Sequence, residues 1–366
     1  MEHKHLTLEW DAQLQSSHKA VHIISPAPRD IWEKLVEADD NALVTQTPQW
    51  LDAITAAGAY QDASRCFEFP DGSRLVLPLV RRARVPFGLS IEASFPEGWG
   101  MGGLVGPGSH DPEALAVVFE DFERRKVLHA SIRPNPLAGS AWAAARPARV
   151  FSAARLAHVL DLTGGFEHVW AHKFAPTLRT NVRKAEKSGL EIQCDTTGSL
   201  IPLFYELFLR SVERWAQQQH EPIALARWRA TRRDSIEKFQ TIARSIGDAF
   251  RLWVAYKDGK PAAAIMVLLG KNANYTRGAM DKDLAGPTRA NALLHRLAIE
   301  EACQAGCQYY HMGETGSSSS LAQFKGHLGA DPVSYAEYYP EHFPITRFNR
   351  GVRSLVKRII GFKDAN

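Results

Sequence analysis

Apolar residues recur at helical spacing in two early segments, RDIWEKLVEAD (29–39) and PQWLDAITAAGA (48–59). The second opens on Thr47-Pro48, a capping residue followed by proline at the first helical position. Alternation of apolar and polar residues then takes over. SRCFEF (64–69) and RLVLPLVRRAR (74–84) flank Pro70-Asp71-Gly72 and predict a β-hairpin. A glycine-rich loop over residues 97–109 leads to DPEALAVVFEDFERRK (111–126), an amphipathic helix with an aspartate cap. Residues 127–136 read as a strand running into a loop.

The pattern restarts near Phe151. ARLAHVLDL reads as a strand, GFEHVWAHKFAPTLRTNVRKAEKSG as helical segments and LEIQCD as a strand. One long helix is expected over 199–216 and another over 227–247. Residues 250–280 predict three antiparallel strands with turns at 257–260 and 270–272. A helix over 289–306 stops at Gly306. The strand CQYYHMG, a run of four serines, a short helix LAQFKGHLG and a last strand VSYAEYY follow. The fold class expected is α/β (α+β), with two tandem domains over residues 1–150 and 151–340. Each would be a mixed, mostly antiparallel sheet flanked by helices, with a basic amphipathic helix in 341–366. The first unit has a shorter version of the second unit's order, which suggests structural duplication without a repeat of fixed period.

Composition changes this picture little. A chain of 366 residues suits two domains, and 45% hydrophobic with 23% charged residues suits soluble domains with full cores. A net charge of +4 permits an anionic ligand without demanding nucleic acid. The first ten residues, MEHKHLTLEW, hold no apolar run of the signal-peptide kind. PAAAIMVLLG (261–270) falls well short of the ~20 residues that span a bilayer. The expected location is cytoplasmic; a helix over 347–363 either packs back on its own domain or makes peripheral contact at the inner membrane. There Phe348, Val352, Leu355, Val356, Ile359 and Ile360 share one side of a helix, and arginines and lysines the other.

The four cysteines form no Cys-x-x-Cys pair, and Cys303 with Cys307 lacks two further ligands nearby, so no metal site is expected. The glycine-rich loop has no Lys-Ser/Thr ending and is not a P-loop; it is expected to line the cleft between domains.

Other residues suit chemistry. Between Lys173 and Gly189 five basic residues face one acid, Glu186. Arg179, Arg183 and Lys187 are four apart and share a helix face, with Lys184 adjacent. Such a face binds phosphates or is simply solvated. Tyr275 and Arg277 alternate along a strand and are expected on the same side, with Arg277 holding a carboxylate or phosphate, or else closing a cross-strand ion pair. Glu314 precedes the serine run, where it could act as base or orienter; His311 points elsewhere by alternation and reads as a core or rim histidine. Phe324-Lys325 follows the serines, either as a plain helix face or as a positive charge delivered to a reaction. Trp50 reads as core.

LRTNVRKAEKSGLEI, YTRGAMDKD, ANALLHRLAIEEACQAGCQYYHMG and LAQFKGHLGAD, in that order and spacing, resemble the FemAB-type and GNAT-related acyltransferases of bacteria. The resemblance covers most of residues 150–340 and the first unit loosely. It implies two tandem GNAT-like domains. It also implies an N-acyltransferase that moves an acyl or aminoacyl group from a carrier to an amine, in cell-envelope or polysaccharide biosynthesis. The acceptor would be a small molecule or an envelope precursor. The co-substrate would be acyl-CoA or aminoacyl-tRNA, with no bound cofactor. In the resembled enzymes the matching Phe-Lys pair lies at the transferred ester and the lysine meets the developing oxyanion. That role falls to Lys325, with Phe324 ordering the loop and drying the site. CoA-using relatives carry a glycine-rich turn where this chain has DLAGPTRANALL, without a glycine pair. Arg289 and Asn291, at the start of the following helix, still suit an anion. The donor stays open, and the alternative is a non-catalytic tandem GNAT-like protein that binds tRNA or another anion.

Overall fold

The computed structural model describes residues 21–85, 90–125, 127–316, 318–343, 345–346 and 351. The expected basic helix at 347–363 therefore lies, but for Gly351, outside the described residues. The described residues open with strand β1 (His22–Ile24) and helices α1 (Arg29–Ala38) and α2 (Pro48–Ala56). Thr47 caps α2 by accepting from the Trp50 amide, with Pro48 in the first turn. Strands β2 (Tyr60–Asp62), β3 (Arg65–Glu68), β4 (Arg74–Leu77), β5 (Val80–Arg82) and β6 (Ile91–Ser94) follow. Helix α3 (Pro112–Arg124), strand β7 (His129–Ile132) and helix α4 (Gly139–Ala145) complete the first half.

The second half runs through strand β8 (Phe151–Asp161), helix α5 (Gly165–His168) with a π turn (Val169–Lys173), helix α6 (Pro176–Glu186) and strand β9 (Leu190–Asp195). Helices α7 (Ile201–Gln218), α8 (Ile223–Arg233) and α9 (Ile236–Ile246) precede the meander of β10 (Phe250–Lys257), β11 (Lys260–Leu269) and β12 (Ala273–Met280). Helices α10 (Lys282–Thr288) and α11 (Ala290–Gln304), strand β13 (Tyr309–Glu314), helix α12 (Ser319–His327) and strand β14 (Asp331–Tyr339) close it.

The hairpin around Pro70-Asp71-Gly72 forms, but its second strand breaks at Pro78. β4 stays in a small sheet ordered β1-β3-β4, while β5 enters the large sheet. Proline cannot donate to a ladder, so a strand changes partner there cheaply. The large sheet has eleven strands in the order β2-β5-β6-β7-β14-β8-β13-β12-β11-β10-β9. Most neighbours are antiparallel; each half holds one parallel pair, β6 with β7 and β12 with β13. The two halves are joined edge to edge. The C-terminal strand β14 pairs along its full length with β8 and also meets β7, so the join is made by hydrogen bonds.

The helix expected over 227–247 is two helices. Ser235 caps α9 by accepting from the Lys238 amide, and Asp234 leaves helical geometry. A serine after an aspartate inside a helical pattern is a cap signal that periodicity alone passes over.

One face of the β10–β12 meander packs on α7, α8 and α9, with Phe204, Phe208 and Phe239 in mutual contact. That core continues into the first half through Trp32, Trp50 and Leu51. Trp50 is buried there, its indole N–H donating to the Trp99 carbonyl at 2.9 Å. The other face packs on α6 and α11. Asn272 ties the halves together: its amide donates to the carbonyls of Asp40 and Ala42 and its oxygen accepts from the Tyr309 amide. The glycine-rich loop also lies between the halves. Gly98 offers its carbonyl to Lys238 at 2.7 Å, and a Cβ on Gly102 would stand 2.8 Å from the Ser94 carbonyl oxygen.

Candidate active site

β12 and β13 share only two register pairs, Ala273 with Tyr310 and Asn274 with His311, and then part. Beyond that point the two strands carry Tyr275 and Arg277 on one side of the gap and Met312, Gly313 and Glu314 on the other. A split in a sheet leaves backbone groups without a ladder partner, which is where a ligand or a side chain enters.

Lys325 enters here. It sits near the end of α12, is only 2% exposed, and its ammonium donates to the carbonyls of Gly313 and Glu314, both at 2.9 Å. Two of its three N–H groups are thus spent on the end of β13, leaving one donor. Burial lowers its pKa to about 8, and the Glu314 charge opposes part of that fall. This is not a surface lysine on a plain helix face. Helix α12 itself starts in the serine run: Ser318 caps it by accepting from the Leu321 amide, and Ser319 and Ser320 form its first turn. The serines are therefore largely a helix start, because serine is a strong capping residue.

Phe324 packs beside His295 of α11, with ring centroids 5.4 Å apart, and Tyr275 meets the same imidazole at 4.8 Å. The Tyr275 phenol lies over Gly278, where a Cβ would fall 2.3 Å from its oxygen. Burial holds His295 neutral, lowering its pKa to about 3, and the nearby Lys325 charge adds to the effect. Its Nδ1 is buried and has no hydrogen-bond partner among the described residues. The Tyr275 hydroxyl is pushed up to about 12 by burial, so it stays protonated. Together these groups form a dry, largely aromatic wall around one cation.

Glu314 lies at the same strand end. Its carboxylate accepts from the Tyr335 hydroxyl at 2.5 Å and stands 3.6 Å from Arg155 and 3.9 Å from Arg133. Both arginines also pair with Glu337. Glu314 is thereby held in place by groups from β8, from β14 and from the segment after β7.

Arg277 is not beside Tyr275. Register pairs run Val267 with Tyr275 and Met266 with Arg277, so Thr276 is the extra residue of a bulge. Val267 belongs to the α6/α11 face and Met266 to the α7–α9 face, and their partners follow them. Arg277 donates to both oxygens of Asp234, at 3.0 and 3.2 Å. Asp234 also holds Lys238 and Arg233, at 2.8 Å each. Burial opposes ionisation of Asp234, but the three cations outweigh it and keep the carboxyl well below its usual range.

The basic helix α6 begins beside the end of α12, where the Ala175 amide donates to the His327 carbonyl at 2.9 Å. Arg179 turns inward and donates to the carbonyls of Trp170, Ala171 and Phe174, closing the turn before its own helix. Arg183 and Lys184 are exposed. Arg289 takes a left-handed conformation, φ 59°, between α10 and α11, so the segment where CoA-using relatives have a glycine turn is helical here. Asn291 contacts the Met280 sulfur at 3.1 Å, one turn before His295.

The structure thus brings together Phe324, Lys325, Glu314 and Tyr275, and turns Arg277 to the other face of the sheet; Arg179 is spent on backbone carbonyls, and Arg183 and Lys184 are exposed on α6. His295, Arg133 and Arg155 were not legible as site residues. A single histidine on a helix looks like any core histidine, and the arginines come from chain segments remote from Glu314.

Among the described residues no helix is long and apolar enough to cross a membrane. Residues 172–325 match the family model described as acetyltransferase (GNAT) domain. No curated protein matches the chain in sequence. Among solved structures the chain is similar to FemX, with a TM-score of 0.63 and 12% identity over 92% of this chain and 100% of that one. It is also similar to a conserved protein of unknown function from Bacteroides thetaiotaomicron, with a TM-score of 0.54 and 12% identity over 87% and 99% of the two chains. At such identities the likeness is one of fold. Residues 172–325 are therefore similar to a GNAT acetyltransferase domain, and the chain as a whole has a fold like that of FemX.

Proposed function

We propose that the protein is an N-acyltransferase that passes an acyl or aminoacyl group from a carrier to an amine acceptor, in building the cell envelope or a polysaccharide. The observation that carries this reading is Lys325: a buried ammonium with one N–H to spare, at the split between β12 and β13. Amine attack on an acyl carbonyl makes a tetrahedral oxyanion, and a fixed cation in a dry site stabilises it far more than water would. The amine is its own nucleophile, so no nucleophilic side chain is required. In this reading the carbonyls of Gly313 and Glu314 aim the ammonium. Phe324, Tyr275 and neutral His295 exclude water, and Glu314, fixed by Tyr335 and Arg155, keeps the end of β13 in place. The oxyanion collapses by expelling the carrier's thiol or hydroxyl, and the amine proton leaves to solvent or a carboxylate.

The helical α10 segment offers no open glycine turn for a CoA pyrophosphate, which favours aminoacyl-tRNA or another carrier over acetyl-CoA. The exposed Arg183 and Lys184 suit the phosphates of either donor. Peripheral membrane contact through 347–363 remains part of the proposal.

The test is the melting temperature of the protein alone, with excess acetyl-CoA, with bulk charged tRNA and with the same tRNA discharged. A ligand bound by the folded state alone adds ~2.7 kcal/mol at a hundredfold excess over Kd. A shift with charged tRNA that exceeds the discharged control supports aminoacyl transfer. A shift with acetyl-CoA makes the donor a thioester. Equal shifts with charged and discharged tRNA, and none with acetyl-CoA, would point instead to a non-catalytic binding protein.

A further inference from the structure

Four of the large apolar side chains that the described residues leave in solvent cluster on one helical hairpin. Trp215 lies in the last turn of α7, and Ile223, Leu225 and Trp228 lie on α8, with exposures of 41, 41, 40 and 57%. Helix α8 buries only Ala226 and Ala230, so its inner face is closed by small residues. Its outer face holds Leu225, Trp228, Arg229 and Arg232, the spacing of one continuous stripe. A stripe of this composition is costly to leave in water and does nothing for the core behind it.

Charge narrows the partner. Between residues 210 and 233 there are six arginines; four of them pair with Asp281, Glu213, Glu221 and Asp234, which leaves Arg214 and Arg232 in excess. The Arg214 guanidinium lies over the Trp215 ring at 6.0 Å, and that of Arg232 over Trp228 at 5.4 Å. A second copy of this chain would bring two such basic faces together, which Coulomb repulsion opposes. A nucleic acid would use the arginines and the indoles but would leave Ile223 and Leu225 without gain. An interface of hydrocarbon beneath anionic headgroups uses all of them: tryptophan at the headgroup level, aliphatic side chains just below it, arginine on phosphate.

We propose that the α7–α8 hairpin docks on an anionic lipid surface, with Trp215, Ile223, Leu225 and Trp228 entering the interface and the surrounding arginines contacting headgroup phosphates. This inference is independent of the reaction proposed above. It also differs from membrane contact by 347–363, because it names other residues.

The experiment is co-sedimentation of the full chain with vesicles of phosphatidylcholine, with and without phosphatidylglycerol. The unaltered protein should bind the anionic vesicles at least about tenfold more tightly, and added salt should weaken this. The double substitution Leu225→Ser/Trp228→Ser, at positions too exposed to matter for folding, should lower that binding by about tenfold or more. Lipids brominated on the acyl chain should quench tryptophan fluorescence, and Trp228→Phe with Trp215→Phe should remove most of the quenching. Absence of vesicle binding, or binding that the double substitution leaves unchanged, overturns the proposal. So does a variant that keeps vesicle binding but loses binding of bulk tRNA, which would make the face a nucleic-acid surface.

Discussion

Tyr275 and Arg277 stand two residues apart on one strand and face opposite sides of the sheet, because Thr276 is the extra residue of a β-bulge. Tyr275 joins the aromatic wall around Lys325, and Arg277 joins the buried carboxylate of Asp234. The bulge thus gives one strand two separate tasks. Asp234 is fully buried and holds Arg277, Lys238 and Arg233. Asp234→Asn leaves three cations around an uncharged amide and should cost roughly 3–5 kcal/mol, the usual penalty for orphaning a buried charge. Urea unfolding measures this. A loss below about 1 kcal/mol would show that the cluster is solvated and not structural.

Lys325→Ala should lower acyl transfer on the order of a hundredfold or more, as the loss of an oxyanion partner does. Lys325→Arg should not restore it, because a planar guanidinium cannot meet two strand-end carbonyls and keep a donor aimed at the substrate. The melting temperature must stay within a few degrees for the result to count. An active Lys325→Ala enzyme would remove the lysine from the mechanism.

The charge on Lys325 sets a pH dependence. In the proposed reaction its ammonium form is the working form, so the rate should fall as pH rises through about 8. Stability moves the other way. The native lysine gives up its proton near 8 and the unfolded one near 10.5, so between these values the unfolded state holds more protons. Stability therefore rises with pH across this window, by at most about 1.4 kcal/mol per unit. Comparison with Lys325→Met isolates the effect, since other groups titrate equally in both proteins. The wild type should gain on the variant between pH 8 and 10. Parallel curves would mean that the native lysine titrates like a free one.

His295 makes the mirror prediction on the acid side. It is neutral in the native state down to about pH 3, whereas the unfolded chain protonates it near 6.5. From 6.5 downward the unfolded state holds the extra proton, so the wild type loses stability on acidification. His295→Phe keeps the contacts with Phe324 and Tyr275 and removes the proton site. Its acid limb should be flatter by about 1 kcal/mol or more between pH 6 and 4. Circular dichroism at stepped pH would detect this, and identical limbs would sink it.

The sequence by itself determined most of the elements and their order. The meander over 250–280, the helix stopped at Gly306 and the cap at Thr47 were legible because periodicity and capping are local, each read within a few residues of chain. The segment holding Phe324-Lys325 was legible by its resemblance to acyltransferases, and residues 172–325 do match that family. Tertiary structure alone decided which side chains meet. One extra residue in β12 reversed the side of Arg277, and no local propensity records such a shift. The lysine could be read from the sequence; its burial against Gly313 and Glu314 depended on where α12 packs. Glu314, Arg155 and Tyr335 come from three strands that become neighbours only because β14 returns across the chain to lie against β8. Contacts between segments so far apart are set by packing of the whole sheet, and a sequence pattern read in short windows holds no record of them.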